Sequence, residues 1–191
     1  MPRFLVLIVC CALLSACATR GPVAGLEPWD RRLAELQHAQ AWQLDGRAAA
    51  AVGTQGWQAS LNWRQSGVYA EVNLAGPFGL GALVLKQAPD GLSLNGAPPS
   101  AEVLSMLQER LGFELPMQNL RFWLLGVPNP DAAFELERNG QDRAQQLIQA
   151  GWTLNYDRYV PVNGDLLPSR VVLQRDEVRV RIAVDHWEGV R

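Results

Sequence analysis

The chain has 191 residues and a formal net charge of -2, so it lacks the basic field that nucleic-acid binding requires, and that class of function is set aside. Its length, once an N-terminal signal is subtracted, is that of one domain with a substantial core. Seven Trp is a heavy aromatic load for such a domain, and rings of this kind fill cores, line apolar pockets and favour membrane interfaces.

Arg3 precedes an apolar run from Phe4 to Leu14 that is too short for a confident membrane span and is followed by small residues, the pattern of a secretory signal. It ends in Leu14-Ser15-Ala16-Cys17, a branched apolar residue, two small residues and a thiol, which matches the bacterial lipobox. Residues 1–16 are therefore expected to be removed, taking Cys10 and Cys11 with them. Cys17 remains as the only thiol, which excludes an internal disulfide. Several acyl chains on Cys17 give a stable anchor where one chain would be marginal. Ala18, rather than Asp, is compatible with sorting to the outer membrane. Residues 17–28 read as a lipidated tether, rich in Gly and small residues, and 29–191 as a single domain.

In chain order, Pro28 opens a helix to about Gln40 with Trp29, Leu33 and Leu36 on its packing face and Arg31, Arg32 and Glu35 elsewhere. Trp42 to Val52 predicts a long strand whose small residues let a sheet bend or leave room in front of it. Trp57 to Arg64 alternates cleanly, with Trp57, Ala59, Leu61 and Trp63 on a dry face. Val68, Ala70, Val72 and Leu74 continue the alternation, residues 81–86 return, and Leu92 to Leu94 is a short strand. Ser100 caps a helix with the stripe Val103, Leu104, Leu107 and Leu111, ended by Gly112. Pro116 to Leu125 predicts a second helix with Leu120, Trp123 and Leu124 inward, closed by Gly126. Strands follow at 133–138, 144–149 and 152–159, then a loop from Val160 to Leu167, and a last hairpin of Ser169 to Arg175 and Val178 to Trp187. The sum is an α+β fold of about ten or eleven antiparallel strands, an unclosed barrel whose dry concave face the helices cover.

The turn Gly76-Pro77-Phe78-Gly79-Leu80-Gly81 is unusual, because large apolar side chains are rarely placed at the tip of an exposed turn. Either Phe78 and Leu80 fold back onto the core or they are displayed. No HExxH, GxSxG, Walker loop or cysteine pair is present in the mature chain, and Gly79-x-Gly81 lacks the third Gly of a dinucleotide fingerprint. His186 reads as a packed or surface histidine. Arg47 is either a solvated strand residue or a charge facing the interior, able to hydrogen-bond a ligand carbonyl. Lack of catalytic motifs favours a binder over an enzyme, with no cofactor or metal.

Together the lipobox, Gly46-Arg47, the Trp57 to Trp63 strand, Gly76-Pro77-Phe78-Gly79, Leu120 to Pro128, Gly151-Trp152 with Tyr156 and Tyr159, Leu167-Pro168 and Asp185-His186-Trp187 resemble the outer-membrane lipoprotein receptor family LolB. The resemblance covers nearly the whole mature chain and rests on order and spacing more than on any single motif. It implies an apolar cavity that accepts acylated lipoproteins from the periplasmic carrier LolA. It also implies a monomer anchored in the outer membrane of a Gram-negative bacterium, facing the periplasm. Phe78 matches the family's apolar residue on a protruding loop, where Leu is usual, and with Leu80 is the expected membrane-insertion element. The expected cavity residues are Trp42, Leu44, Arg47, Trp57, Leu61, Trp63, Val72, Leu74, Leu107, Trp123 and Trp152. A structural envelope lipoprotein and a lipid-modifying enzyme are the alternatives. The receptor reading requires room inside the bent sheet, and an interior solidly filled by tryptophan and leucine would contradict it.

Overall fold

The computed structural model describes residues 28–79 and 81–190; the signal, Cys17, most of the tether, Leu80 and the side chain of Phe78 lie outside the described residues. Helix α1 (Pro28–Gln37) is followed by β1 (Ala41–Val52), β2 (Gln55–Ser66), β3 (Tyr69–Ala75), a 3-10 turn at Pro77–Gly79, β4 (Leu83–Ala88) and β5 (Gly91–Leu94). Two helices come next, α2 (Ala101–Leu111) and α3 (Met117–Trp123), and then β6 (Phe134–Arg138), β7 (Ala144–Gln149), β8 (Trp152–Val162), β9 (Asp165–Arg175) and β10 (Val178–Glu188). All ten strands form one antiparallel sheet in the order β5-β4-β3-β2-β1-β10-β9-β8-β7-β6. Its first and last strands meet in the middle, and β5 and β6 are its two free edges. The link from β5 to β6 must cross the open side of the barrel, and α2 and α3 lie on that link.

Period-two burial builds the core. In β1, Trp42, Leu44, Ala48 and Ala50 are buried while Gln43, Asp45 and Arg47 are exposed. The bend has a local cause at Gly46, where the register with β10 shifts between Asp45 and Gly46. A Cβ there would run into the Ala183 carbonyl oxygen, so only glycine permits the close approach of backbones that such a bulge creates.

The caps of α2 are those its sequence predicts. Ser100 accepts a hydrogen bond from the Val103 N–H at 3.2 Å, and Gly112, at φ 84°, donates its N–H to the Gln108 carbonyl at 2.7 Å. Its buried stripe is Val103, Leu107 and Leu111, spaced by four; Leu104 is 54% exposed and off that face, contrary to expectation. Val68 likewise lies exposed in the turn before β3.

Two further expectations are corrected. Val160 to Leu167 is not a loop: β8 and β9 run on to a tight turn at Asn163-Gly164, both with positive φ. Pro161 and Pro168 are tolerated because there β8 has run past its pairing with β7, which stops at Asn155, and β9 lies before its pairing with β10, which starts at Arg170, so each proline lacks only an N–H on an open side. Arg32 is buried, not solvated. Its Nε donates to Asp165 at 3.1 Å and its Nη2 to the Leu166 carbonyl at 2.7 Å, which ties α1 to the β8–β9 tip. Arg143 donates to the same carboxylate at 3.2 Å. Desolvation lowers the Arg32 pKa, and the Asp165 charge partly offsets this.

Candidate functional site

An aromatic floor lies where β1 begins. Trp42 stacks on Trp63 with ring centroids 5.7 Å apart and meets Trp187 edge-on at 5.6 Å. The Trp63 indole N–H donates to Gln65 Oε1 at 2.9 Å, and that of Trp187 to the Pro168 carbonyl at 2.9 Å. Gln65 is itself held by the Gly67 and Tyr69 carbonyls. These rings close one end of the barrel, and the indole N–H groups of Trp63 and Trp187 are satisfied there.

Above the floor is an apolar void of about 40 Å³ between the sheet and the ends of α2 and α3. Of the residues expected to line it, Trp57, Leu61, Trp63, Val72, Leu74 and Trp152 do so, joined by Leu111, Phe113 and Leu120 from the helical segment. Leu120 was read as inward-facing, but Phe113 was not singled out; it packs edge-on to Trp152 at 6.0 Å. Trp42, Leu44, Leu107 and Trp123 are buried in the surrounding core but do not reach the void.

Arg47 belongs to neither group. Its side chain is on the outer face, 70% exposed and paired with Asp185 at 2.8 Å, because it alternates with buried Ala48. The expectation that it faces the cavity is corrected on that ground. His186 is exposed, with Nε2 3.2 Å from Glu188.

The void is smaller than the expected hollow. It has room for only a few water-sized spheres, at roughly 10–15 Å³ each, so a fatty chain does not fit without displacement of side chains. It continues outward. A cleft of about 370 Å³ shares Trp57, Leu74 and Leu111 with the void and is rimmed by Gly76, Gly81 and Leu83 on one side and Arg110 on the other. Gly76 and Gly81 flank the apolar turn, so the mouth of the interior and that turn occupy one rim. Across it the Trp57 indole N–H donates to the Leu111 carbonyl at 3.0 Å, holding the C-terminus of α2 against β2.

One polar element escaped sequence reasoning. Gln149, 2% exposed, accepts from the Trp123 indole N–H at 2.8 Å and the Asn129 N–H at 2.9 Å, and donates to the carbonyls of Asn129 and Ala132. Tyr156 adds a hydrogen bond from its hydroxyl to the Trp123 carbonyl at 3.0 Å. Together they lock the segment after α3 to β7 and β8. The available signal was phase, since Gln149 is two residues from buried Leu147 on the same face.

This geometry, a ten-stranded open barrel with an apolar interior, agrees with what the comparisons find. The family model described as "Outer membrane lipoprotein LolB" matches residues 40–187, which takes in nearly all of the sheet and both helices of the link. The chain belongs to the LolB family. Outer-membrane lipoprotein LolB of Pseudomonas putida is 32% identical over 187 residues, covering 93% of this chain and 91% of the relative. LolB of Pseudomonas aeruginosa is 31% identical at the same coverage, and that of Stutzerimonas stutzeri 29% over 92% and 90%. LolB proteins are outer-membrane lipoproteins and not enzymes, and membership carries that class and location to this chain. In fold alone it is similar to the crystal structure of a LolA superfamily protein from Nitrosomonas europaea. That match has TM-score 0.55 at 9% identity and covers 87% of this chain and 94% of the other.

Proposed function

We propose that this LolB-family chain is a receptor that takes the acyl chains of lipoproteins from the carrier LolA into its apolar interior and passes them to the outer membrane. The observation that carries the reading is the shared rim. An apolar cleft leads to the void beside the turn that bears Phe78 and Leu80. Each methylene exposed to water costs about 0.8 kcal/mol, so a multiply acylated cargo must travel from cavity to cavity. The affinity of the receptor must lie between that of the carrier and that of the bilayer, and no nucleotide is needed.

Because the closed interior holds only about 40 Å³ of void, a guest must part α2 from β2. The Trp57 to Leu111 hydrogen bond is the contact that has to open, and it opens cheaply, since a net hydrogen bond is worth about 1 kcal/mol. Cys17 carries the anchor, and Phe78 with Leu80 touches the bilayer. Burying Phe78 there is worth roughly 1.5 to 3 kcal/mol, enough for reversible contact.

The test is transfer of an acylated lipoprotein from purified LolA to this protein, and from it to vesicles. Phe78→Glu is expected to leave the first step intact and abolish the second. Unimpaired delivery by a folded Phe78→Glu protein would overturn the role of the turn.

A further inference from the structure

A groove of about 700 Å³, larger than the interior void or the cleft leading to it, lies on the outer face of the sheet beside Gly76, Pro77 and Gly79. Its floor is small: Ala49, Ala75 and Ala183 present almost no side chain. Its walls carry Arg47, Arg170 and Arg181, and no described carboxylate lines it. Strand register explains the clustering. Arg47 on β1 pairs with Ala183 on β10, which pairs with Arg170 on β9, which pairs with Arg158 on β8. Arg181 points the same way two residues from Ala183. A protein of net charge -2 thus gathers cations on one face.

Arg47 is held by Asp185 through two hydrogen bonds, of 2.8 and 3.2 Å. Arg170, Arg181 and Arg158 make no ion pair with any described residue. Guanidinium forks left free over a shallow floor match the oxygen geometry of a phosphate. A protein carboxylate would fit the same forks, but the groove adjoins Gly76, Pro77 and Gly79 of the turn proposed to meet the bilayer, which puts a lipid phosphate within its reach.

We infer that this groove binds the phosphate of an anionic phospholipid headgroup, seating the outer face of β9, β10 and β1 on the membrane surface next to the apolar turn. The inference rests on the reading that residues 76–81 meet the bilayer. The two fail separately, because headgroup retention does not need Phe78 to insert. The turn reaches the apolar layer while the arginines sit at headgroup level, so the mouth of the interior is held at the depth where acyl chains leave.

Native mass spectrometry of the acylated mature protein, ejected from micelles with equal dioleoyl phosphatidylglycerol and dioleoyl phosphatidylcholine, reads this directly. At least threefold more phosphatidylglycerol than phosphatidylcholine is expected on the protein. Arg170→Ser with Arg181→Ser is expected to bring the ratio to one, while Arg64→Ser, on the same face but outside the groove, leaves it unchanged. All three positions lie at the surface, and circular dichroism confirms the fold of each variant. Equal retention by the parent protein overturns the inference. So does an unchanged ratio in the double variant, or a loss in that variant confined to LolA binding, which would give the groove to a protein partner.

Discussion

The two ends of the barrel handle their tryptophans in opposite ways. Where β1 begins, Trp42 stacks on Trp63 and meets Trp187 edge-on, and the indole N–H groups of Trp63 and Trp187 have partners at 2.9 Å. Toward the apolar turn, Trp57 is only half-buried and closes the mouth through one hydrogen bond to Leu111, while Trp152 is buried with its indole N–H unpartnered. The first end is built for rigidity and the second leaves polar and packing capacity unused. A protein whose interior must admit a guest needs both, a floor that does not yield and a mouth that does.

The contrast is sharpest under truncation. Trp42→Ala should lower stability by about 3–5 kcal/mol, read by denaturant unfolding, because the two remaining rings cannot collapse into the space. A loss below 1 kcal/mol would show that the floor is not close-packed. Filling the other end should do the reverse: Leu61→Phe is expected to cost about 1–3 kcal/mol through overpacking and to suppress uptake of an apolar dye. Undiminished uptake would mean that guests do not enter the void. Trp57→Phe removes the mouth's hydrogen bond, and should cost only about 1 kcal/mol while dye uptake rises. Unaltered uptake would detach that hydrogen bond from gating. Smallest is Leu104→Glu on the exposed side of α2, expected within about 0.5 kcal/mol of the parent.

The floor end also predicts an alkaline weakness. Burial raises the pKa of Tyr156 well above its usual value and does the same to Tyr159, whose hydroxyl donates to the Ala144 carbonyl at 2.7 Å. Free tyrosines ionise near pH ~10, so the unfolded chain loses protons that the folded one keeps. The stability these phenols contribute is complete below that pH and declines as pH rises further. Thermal melts of Tyr159→Phe should show a shallower decline than the parent.

Much of the architecture was legible because alternation in β1, β2 and β10 has one solution when one face is dry and the other wet. Reading failed where a strand carries proline, as at Pro161 and Pro168, since an open strand side accommodates positions that local rules mark as breaks. It failed at Arg32 because a buried cation announces itself only through its partner, here Asp165 more than a hundred residues away. Six of the eleven cavity residues met around the void because phase alone placed them inward. Arg47 did not, because alternation with Ala48 turns it out.

From the sequence alone come the lipobox at Cys17, about ten or eleven antiparallel strands with the dry faces of β1, β2 and β10, the caps of α2 and the family resemblance, all of them local patterns or their spacing. Tertiary structure alone decided how far the interior is filled, which tryptophans form floor or mouth, and that distant arginines share one groove. Those depend on how close separate strands and helices approach, a distance that bends at Gly46 and burial of the whole face set together.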